Sequence, residues 1–112
     1  MIHKAKKVVI ITEKIIAEQV SKLIEECGGS GHTVVAAGGK GSRGIRRADR
    51  ANVIGDFANV KFEVITDSQE VAEAIATKTA DTFFENYSGI TYIENVEILR
   101  PHKFQPEAEG EE

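Results

Sequence analysis

The sequence predicts one α+β domain of strand–helix–strand–strand–helix–strand order. Three observations carry that expectation. Apolar spacing changes from strand-like to helical and back twice along the chain, each helical stretch follows directly on a strand, and 18 residues without either period (40–57) separate the halves. At 112 residues, 41% apolar and 29% charged, the chain has the size and balance of a single globular domain with one core.

Residues 6–12 (KKVVIIT) form a short β-branched run and predict a buried strand. Thr12 is placed to N-cap a helix directly after it. Over 13–27, Ile15, Ile16, Val20, Leu23, Ile24 and Cys27 recur at helical spacing, and Gly28 and Gly29 stop the helix. Residues 32–37 (HTVVAA) are a second strand ending at Gly38 and Gly39. The stretch 40–57, rich in Gly, Arg and Asn, is long for a connection inside a compact domain, which favours a functional or mobile loop. Residues 58–66 (ANVKFEVIT) alternate, with Val60, Phe62 and Val64 on one face and Lys61 and Glu63 on the other.

Thr66 and Asp67 offer N-caps for a second helix, with Gln69 or Glu70 three residues on to complete a capping box. Val71, Ala72, Ile75, Ala76, Thr79, Phe83 and Tyr87 form its inward stripe, and Ser88 and Gly89 end it. Residues 90–93 and 96–99 are short final strand segments. Pro101 and Pro106 bracket the exit. Residues 105–112 are acidic with Ala108 as their one apolar residue, so the folded domain is expected over 1–104 and a disordered tail beyond it.

This order is that of the ferredoxin-like βαββαβ fold. Two helices on one face of an antiparallel sheet leave the other face bare. The second and third strands carry more apolar surface than one helix layer buries, and self-association is the expected remedy.

The net charge of -4 is unevenly spread. Residues 40–50 carry +4, from Lys40, Arg43, Arg46, Arg47 and Arg50 against Asp49, while 51–104 carry -5 and the tail -4. An acidic chain with one short arginine cluster lacks the broad basic face of a nucleic-acid binder. The cluster suits a small anionic ligand or one acidic patch on a partner. The longest apolar run, 8–11, is far short of the roughly 20 residues of a membrane span. Residues 1–7 lack the apolar stretch of a signal peptide, so a cytoplasmic location is expected. Cys27 alone excludes an internal disulfide framework, and on the apolar stripe it reads as a small core residue. His3, His32 and His102 show no ligand spacing, so no metal site is expected.

The segment GGKGSRGIRR (38–47) is the constellation with chemistry in it. Gly39, Gly41 and Gly44 satisfy G-x-G-x-x-G, but the following residues include arginines and no long apolar stripe, so a dinucleotide-binding unit is rejected. A P-loop is rejected because Gly41, not Ser or Thr, follows Lys40. The residue types still suit an oxyanion. Glycines let backbone N–H groups approach it, Ser42 adds a hydroxyl, Arg43 and Arg46 can fork onto phosphate oxygens, and Lys40 supplies a point charge. No His or acid is spaced to activate Ser42, so no catalytic residue is assigned. Glu13 is accounted for as a first-turn helix acid. In YSGITY (87–92), Gly89 reads first as a helix C′ glycine and second as part of a backbone loop facing a ligand.

Four stretches together, VVIITEK (8–14), GHTVVAAGGKGSRGIR (31–46), ANVKFEVIT (58–66) and YSGITYI (87–93), resemble the PII-like signalling proteins over about residues 6 to 104. The likeness is strongest to the SbtB type, associated with the bicarbonate transporter SbtA, with carboxysome-associated PII-like proteins as near relatives. The resemblance implies homotrimers of ferredoxin-like protomers, with adenine nucleotides (ATP, ADP, AMP or cyclic AMP) in clefts between subunits. It further implies a divalent cation alongside ATP, bicarbonate as a second ligand, and a mobile T-loop at 40–57 that meets a membrane transporter and recruits the protein to the inner membrane. Carried over by position, Gly41, Ser42, Arg43 and Arg46 hold phosphate at the start of that loop, and Gly38, Gly39 and Lys40 form its base. Gly89 and Ile90 close the nucleotide cleft, and Thr33 lies in the strand lining the adenine pocket. Many SbtB-type proteins end in a two-cysteine redox loop. Here the corresponding stretch is PHKFQPEAEGEE, without cysteine, so redox control of that kind is not expected. A slow ATP or ADP hydrolase and a structural trimer of CutA type are the competing readings.

Overall fold

The computed structural model describes residues 2–38 and 58–99. These form β1 (His3–Glu13), a short 3-10 turn (Lys14–Ile16), α1 (Ala17–Glu26), β2 (Thr33–Ala37), β3 (Asn59–Thr66), α2 (Gln69–Phe83) and β4 (Gly89–Ile98). One sheet holds all four strands in the order β2-β3-β1-β4, and each neighbouring pair is antiparallel. Each strand–helix–strand unit therefore steps over one intervening strand, which is the ferredoxin-like arrangement expected from the sequence. The loop expected at 40–57 and the tail expected at 105–112 lie outside the described residues.

The core sits between the sheet and the two helices. Val8 and Ile10 from β1 and Val60, Phe62 and Val64 from β3 meet Ile16, Val20, Leu23 and Ile24 on one side and Ala72, Ile75 and Phe83 on the other. Fully burying each of the larger aliphatic or aromatic side chains contributes roughly 1.5–3 kcal/mol. The alternation in β3 holds as expected: Lys61 and Glu63 are half-buried on the far face. Cys27 is a free thiol packed against the core. On the same face as Phe62, the His32 ring tilts against it at 5.6 Å and accepts or donates a 2.9 Å hydrogen bond with Ser21.

Several local expectations are corrected. β1 reaches back to His3 because β4 pairs with it over ten residues, from His3–Ile98 to Thr12–Gly89. β4 is accordingly one strand rather than two segments. The helix expected over 13–27 opens as a 3-10 turn, and α1 proper begins at Ala17. Ile15, expected on the inward stripe, is 77% exposed because the tighter turn rotates it off the apolar face. Thr12 is not an N-cap, since it is a paired residue of β1. β2 starts one residue later than expected, at Thr33. α2 is capped by Ser68, whose Oγ accepts from Val71 N–H at 3.0 Å, while Thr66 Oγ1 accepts from Ser68 N–H at 3.1 Å. A serine one step nearer the helix wins the cap from Thr66 and Asp67. α2 ends at Phe83, four residues before Tyr87, which packs against the core from the turn beyond.

α1 ends as its glycines predict. Gly28 N–H donates to Glu25 O at 3.1 Å and Gly29 N–H to Ile24 O at 2.9 Å, with Gly28 at φ 104°. These two bonds and the left-handed residue make a Schellman cap.

The other face of the sheet carries no helix. Val9 is buried there by its neighbours, whereas Tyr92 and Ile90 are exposed, as is Val35 on β2. Val34, on the helix side, is also exposed, because the two helices do not reach the β2 edge. The expectation of bare apolar surface is thus met on the second strand but not on the third, whose Val60, Phe62 and Val64 are all buried under the helices. Polar cover comes from Lys7, which reaches Glu63 at 3.6 Å and Glu94 at 3.4 Å, and from Lys61, 3.5 Å from Glu63. The negative charge of Glu63 first, then hydrogen bonding and charge from Glu94, holds the Lys7 ammonium above its ordinary value of 10.5 against the opposing effect of burial.

A raised folded-state value makes the Lys7 contribution complete below the unfolded value and removes it as pH climbs past the folded one. The stability difference between the wild type and Lys7→Met, followed by denaturant midpoints from neutral pH to above 10.5, should therefore shrink at the alkaline end. A difference that stays flat would show that Lys7 gains nothing from the two glutamates. For the helix end, Gly28→Ala should cost about 1–2 kcal/mol by forcing a side chain into left-handed backbone. Gly31→Ala, where an added Cβ meets nothing within 4 Å, should cost nothing measurable by the same denaturant midpoints.

Candidate functional site

Register places the ends of several elements on one rim of the sheet. Ala37 of β2 lies opposite Asn59 of β3, Asn59 opposite Glu13 of β1, and Thr12 opposite Gly89 of β4. Gly38, just past β2, is on this rim, as is Ala58, where the chain returns. Lys14 N–H donates to Ala58 O at 2.9 Å and fixes that return point to the end of β1. The rim from β2 to β4 crosses three strand spacings, roughly 14 Å.

The turn from α2 into β4 is held by the end of β1. Ser88 N–H donates to Glu13 Oε2 at 2.7 Å, and Thr12 Oγ1 donates to Ser88 O at 2.7 Å. Thr12, Glu13, Ser88 and Asn59 are all buried. Glu13 is thus no helix acid. As the last residue of β1 it turns its carboxylate onto a backbone amide 75 residues away in sequence. The next residue, Gly89, lies under the Phe84 ring. A Cβ there would press into three carbons of that ring, so any other residue must displace Phe84. Ile90 then projects, 56% exposed, where β4 begins.

Two buried polar atoms on this rim, Asn59 Oδ1 and Ser88 Oγ, have no hydrogen-bond partner among the described residues. Buried polar groups are rarely left unpaired, and such atoms commonly mark strain, a bridging water or a ligand. Among the described residues no cluster of three or more His, Cys, Asp or Glu is arranged to hold a metal.

The family model described as nitrogen regulatory protein P-II matches residues 5–103. The chain belongs to that family. Solved structures agree in fold. CPII, a nitrogen regulatory PII-like protein from Thiomonas intermedia K12, bound to ADP, AMP and bicarbonate, is 27% identical with a TM-score of 0.77, covering 95% of this chain and 98% of that one. The same protein bound to ADP, AMP and acetate is 25% identical at TM-score 0.76, over 95% and 99%. Bound to ADP and bicarbonate it is 27% identical at TM-score 0.76, over 93% and 97%.

Within this P-II-family fold, the residues expected at a site divide in two. Gly38, Gly89 and Ile90 come to the common rim. Thr33 does not. It starts β2 opposite Glu63, four residues and roughly 13 Å along the strand from Ala37. Gly39, Lys40, Gly41, Ser42, Arg43 and Arg46 lie outside the described residues. Sequence reasoning missed the roles of Thr12 and Glu13. The signal was present: two polar residues ending a run of four β-branched ones belong to a strand end with something to hold.

The close approach at Gly89 is directly testable. Gly89→Ala should destabilise by about 1–3 kcal/mol through overpacking against Phe84. Adding Phe84→Leu should recover part of that loss in thermal or denaturant unfolding. No recovery in the double variant would place the strain elsewhere.

Proposed function

We propose that the protein is a regulatory sensor of adenine nucleotides, ADP and AMP foremost, together with bicarbonate. It works as a homotrimer with its nucleotide clefts between subunits. The observation that supports this best is the full-length likeness to CPII, whose structures hold ADP, AMP and bicarbonate. The rim adds chemical support, since Gly38 at the loop base and the Ser88–Gly89 turn lie along it, with two buried polar atoms that lack partners among the described residues. The bare sheet face, with Tyr92, Ile90 and Val35 exposed, supplies apolar surface for the association between copies.

In this reading Gly41, Ser42, Arg43 and Arg46 hold the phosphates, Gly38, Gly39 and Lys40 shape the loop base, Gly89 and Ile90 close the cleft, and Thr33, roughly 13 Å along β2 from Ala37, serves an adenine pocket at the end of the cleft away from the phosphates. Ligands that differ in phosphate arrangement then favour different loop populations, each by its difference in affinity for the two states. Charge-assisted hydrogen bonds at roughly 1.5–3 kcal/mol each are large enough for a shift of tenfold or more. Arg47 and Arg50 remain to meet an acidic surface, for which a membrane bicarbonate transporter of SbtA type is the partner that the sequence resemblance supports. Cyclic AMP and ATP with a divalent cation belong to the same ligand class. No catalytic residue is assigned.

Calorimetry with ATP, ADP, AMP and cyclic AMP, each with and without bicarbonate, tests the reading. Wild-type protein should bind at least ADP or AMP, with an affinity that bicarbonate changes. Replacing Arg43 and Arg46 together by Ala should weaken binding roughly tenfold or more. Undiminished affinity in that variant would remove the phosphate grip, and no binding by the wild type would overturn the function.

A further inference from the structure

We infer that Thr12 and Glu13 are positioning residues of the nucleotide cleft, acting through the Ser88 peptide; this rests on the function proposed above and deepens it. Ser88 immediately precedes Gly89 and Ile90. Both of its backbone polar groups are taken by side chains, the N–H by Glu13 Oε2 and the carbonyl by Thr12 Oγ1, each at 2.7 Å. Successive residues of a strand point to opposite faces. Thr12, sharing a face with Val8 and Ile10, reaches the turn from the helix side, and Glu13 reaches it from the open side. The Ser88 backbone, across two successive peptide groups, is gripped from both faces of the sheet by one strand, and that strand is itself paired with β3 and β4.

The choice of residue is telling. Glu13 is 7% exposed, and burying a carboxylate is costly unless it is hydrogen-bonded, as this one is to Ser88 N–H. A backbone N–H at a helix-to-strand turn can ordinarily be satisfied by water or a small hydroxyl. A carboxylate fixed by a central strand instead sets where that N–H sits. The turn has no slack on its other side either, because the Phe84 ring leaves room only for glycine at position 89. A cleft wall built this way meets its ligand preorganised and loses little on ordering. Without the grip, each binding event must first restore the turn.

Glu13→Gln provides the control, since it keeps the shape of the side chain and an oxygen for Ser88 N–H. The conservative variant should therefore retain the wall.

The experiment pairs ADP calorimetry with amide hydrogen exchange of residues 88–90 in the ligand-free protein, on wild type, Glu13→Ala and Glu13→Gln. Glu13→Ala should exchange at least roughly tenfold faster at Ser88 and bind ADP about tenfold more weakly, while Glu13→Gln stays within about threefold of wild type in both. Wild-type affinity for ADP in a folded Glu13→Ala protein overturns the inference and leaves the proposed function standing. A wild type that binds no adenine nucleotide overturns the function and the inference with it. If Glu13→Ala does not fold, Thr12→Val takes its place, with Thr12→Ser as its rescue. Unweakened ADP binding by Thr12→Val then overturns the inference.

Discussion

β1 is the strand on which the rest of the molecule depends. It pairs along nearly its whole length with β4 on one edge and from Lys6 onward with β3 on the other, and Val8, Val9 and Ile10 are buried on both of its faces. A strand in that position cannot slide, because a slip of one residue would turn Val8 and Ile10 out of the core. Its end is therefore the most precisely placed point on the rim. Thr12, Glu13 and Lys14 follow the apolar run, and all three bind backbone groups of other segments: Ser88 O, Ser88 N–H and Ala58 O. The short polar sequence T-E-K is thus a joint between the point where the chain returns at Ala58 and the turn into β4.

The division of labour between the two sheet faces follows from the same topology. Both crossovers put their helices on one side, so the core forms there. The other side is left to a network of lysines and glutamates around Lys7 and to a few exposed apolar residues near the rim. Such a mixed surface is too apolar to be left in water comfortably and too charged to be a core, which fits an interface between like copies. The function proposed places the nucleotide at this rim, with P-II family membership and the likeness to CPII as its support. The Ser88 turn lies on the same end of the sheet as Gly38, where the chain leaves β2 for the cationic sequence 40–50.

Most of the architecture was legible in the chain. The α+β order, the strand alternation in 58–66 and the glycine stop of α1 are local consequences of period and backbone freedom, and local physics sits in the sequence. The errors at the end of β1 share a cause. Thr12 and Glu13 look like the start of a helix because Thr and Glu are good helix-opening residues. Pairing with β3 and β4 outweighed that preference and kept both residues in the strand. Thr66 and Asp67 were equally plausible caps until Ser68 stood closer to the helix.

The sequence alone determined which residues are apolar, where the backbone can bend, and that a cationic glycine-rich segment follows the second strand. Only the tertiary structure decided that Glu13 faces Ser88 and that Gly89 lies under Phe84. It alone put Asn59 opposite Glu13 and left Thr33 some distance from the rim. These are contacts between residues up to 76 apart in the chain, created by strand register, and no local pattern encodes a register.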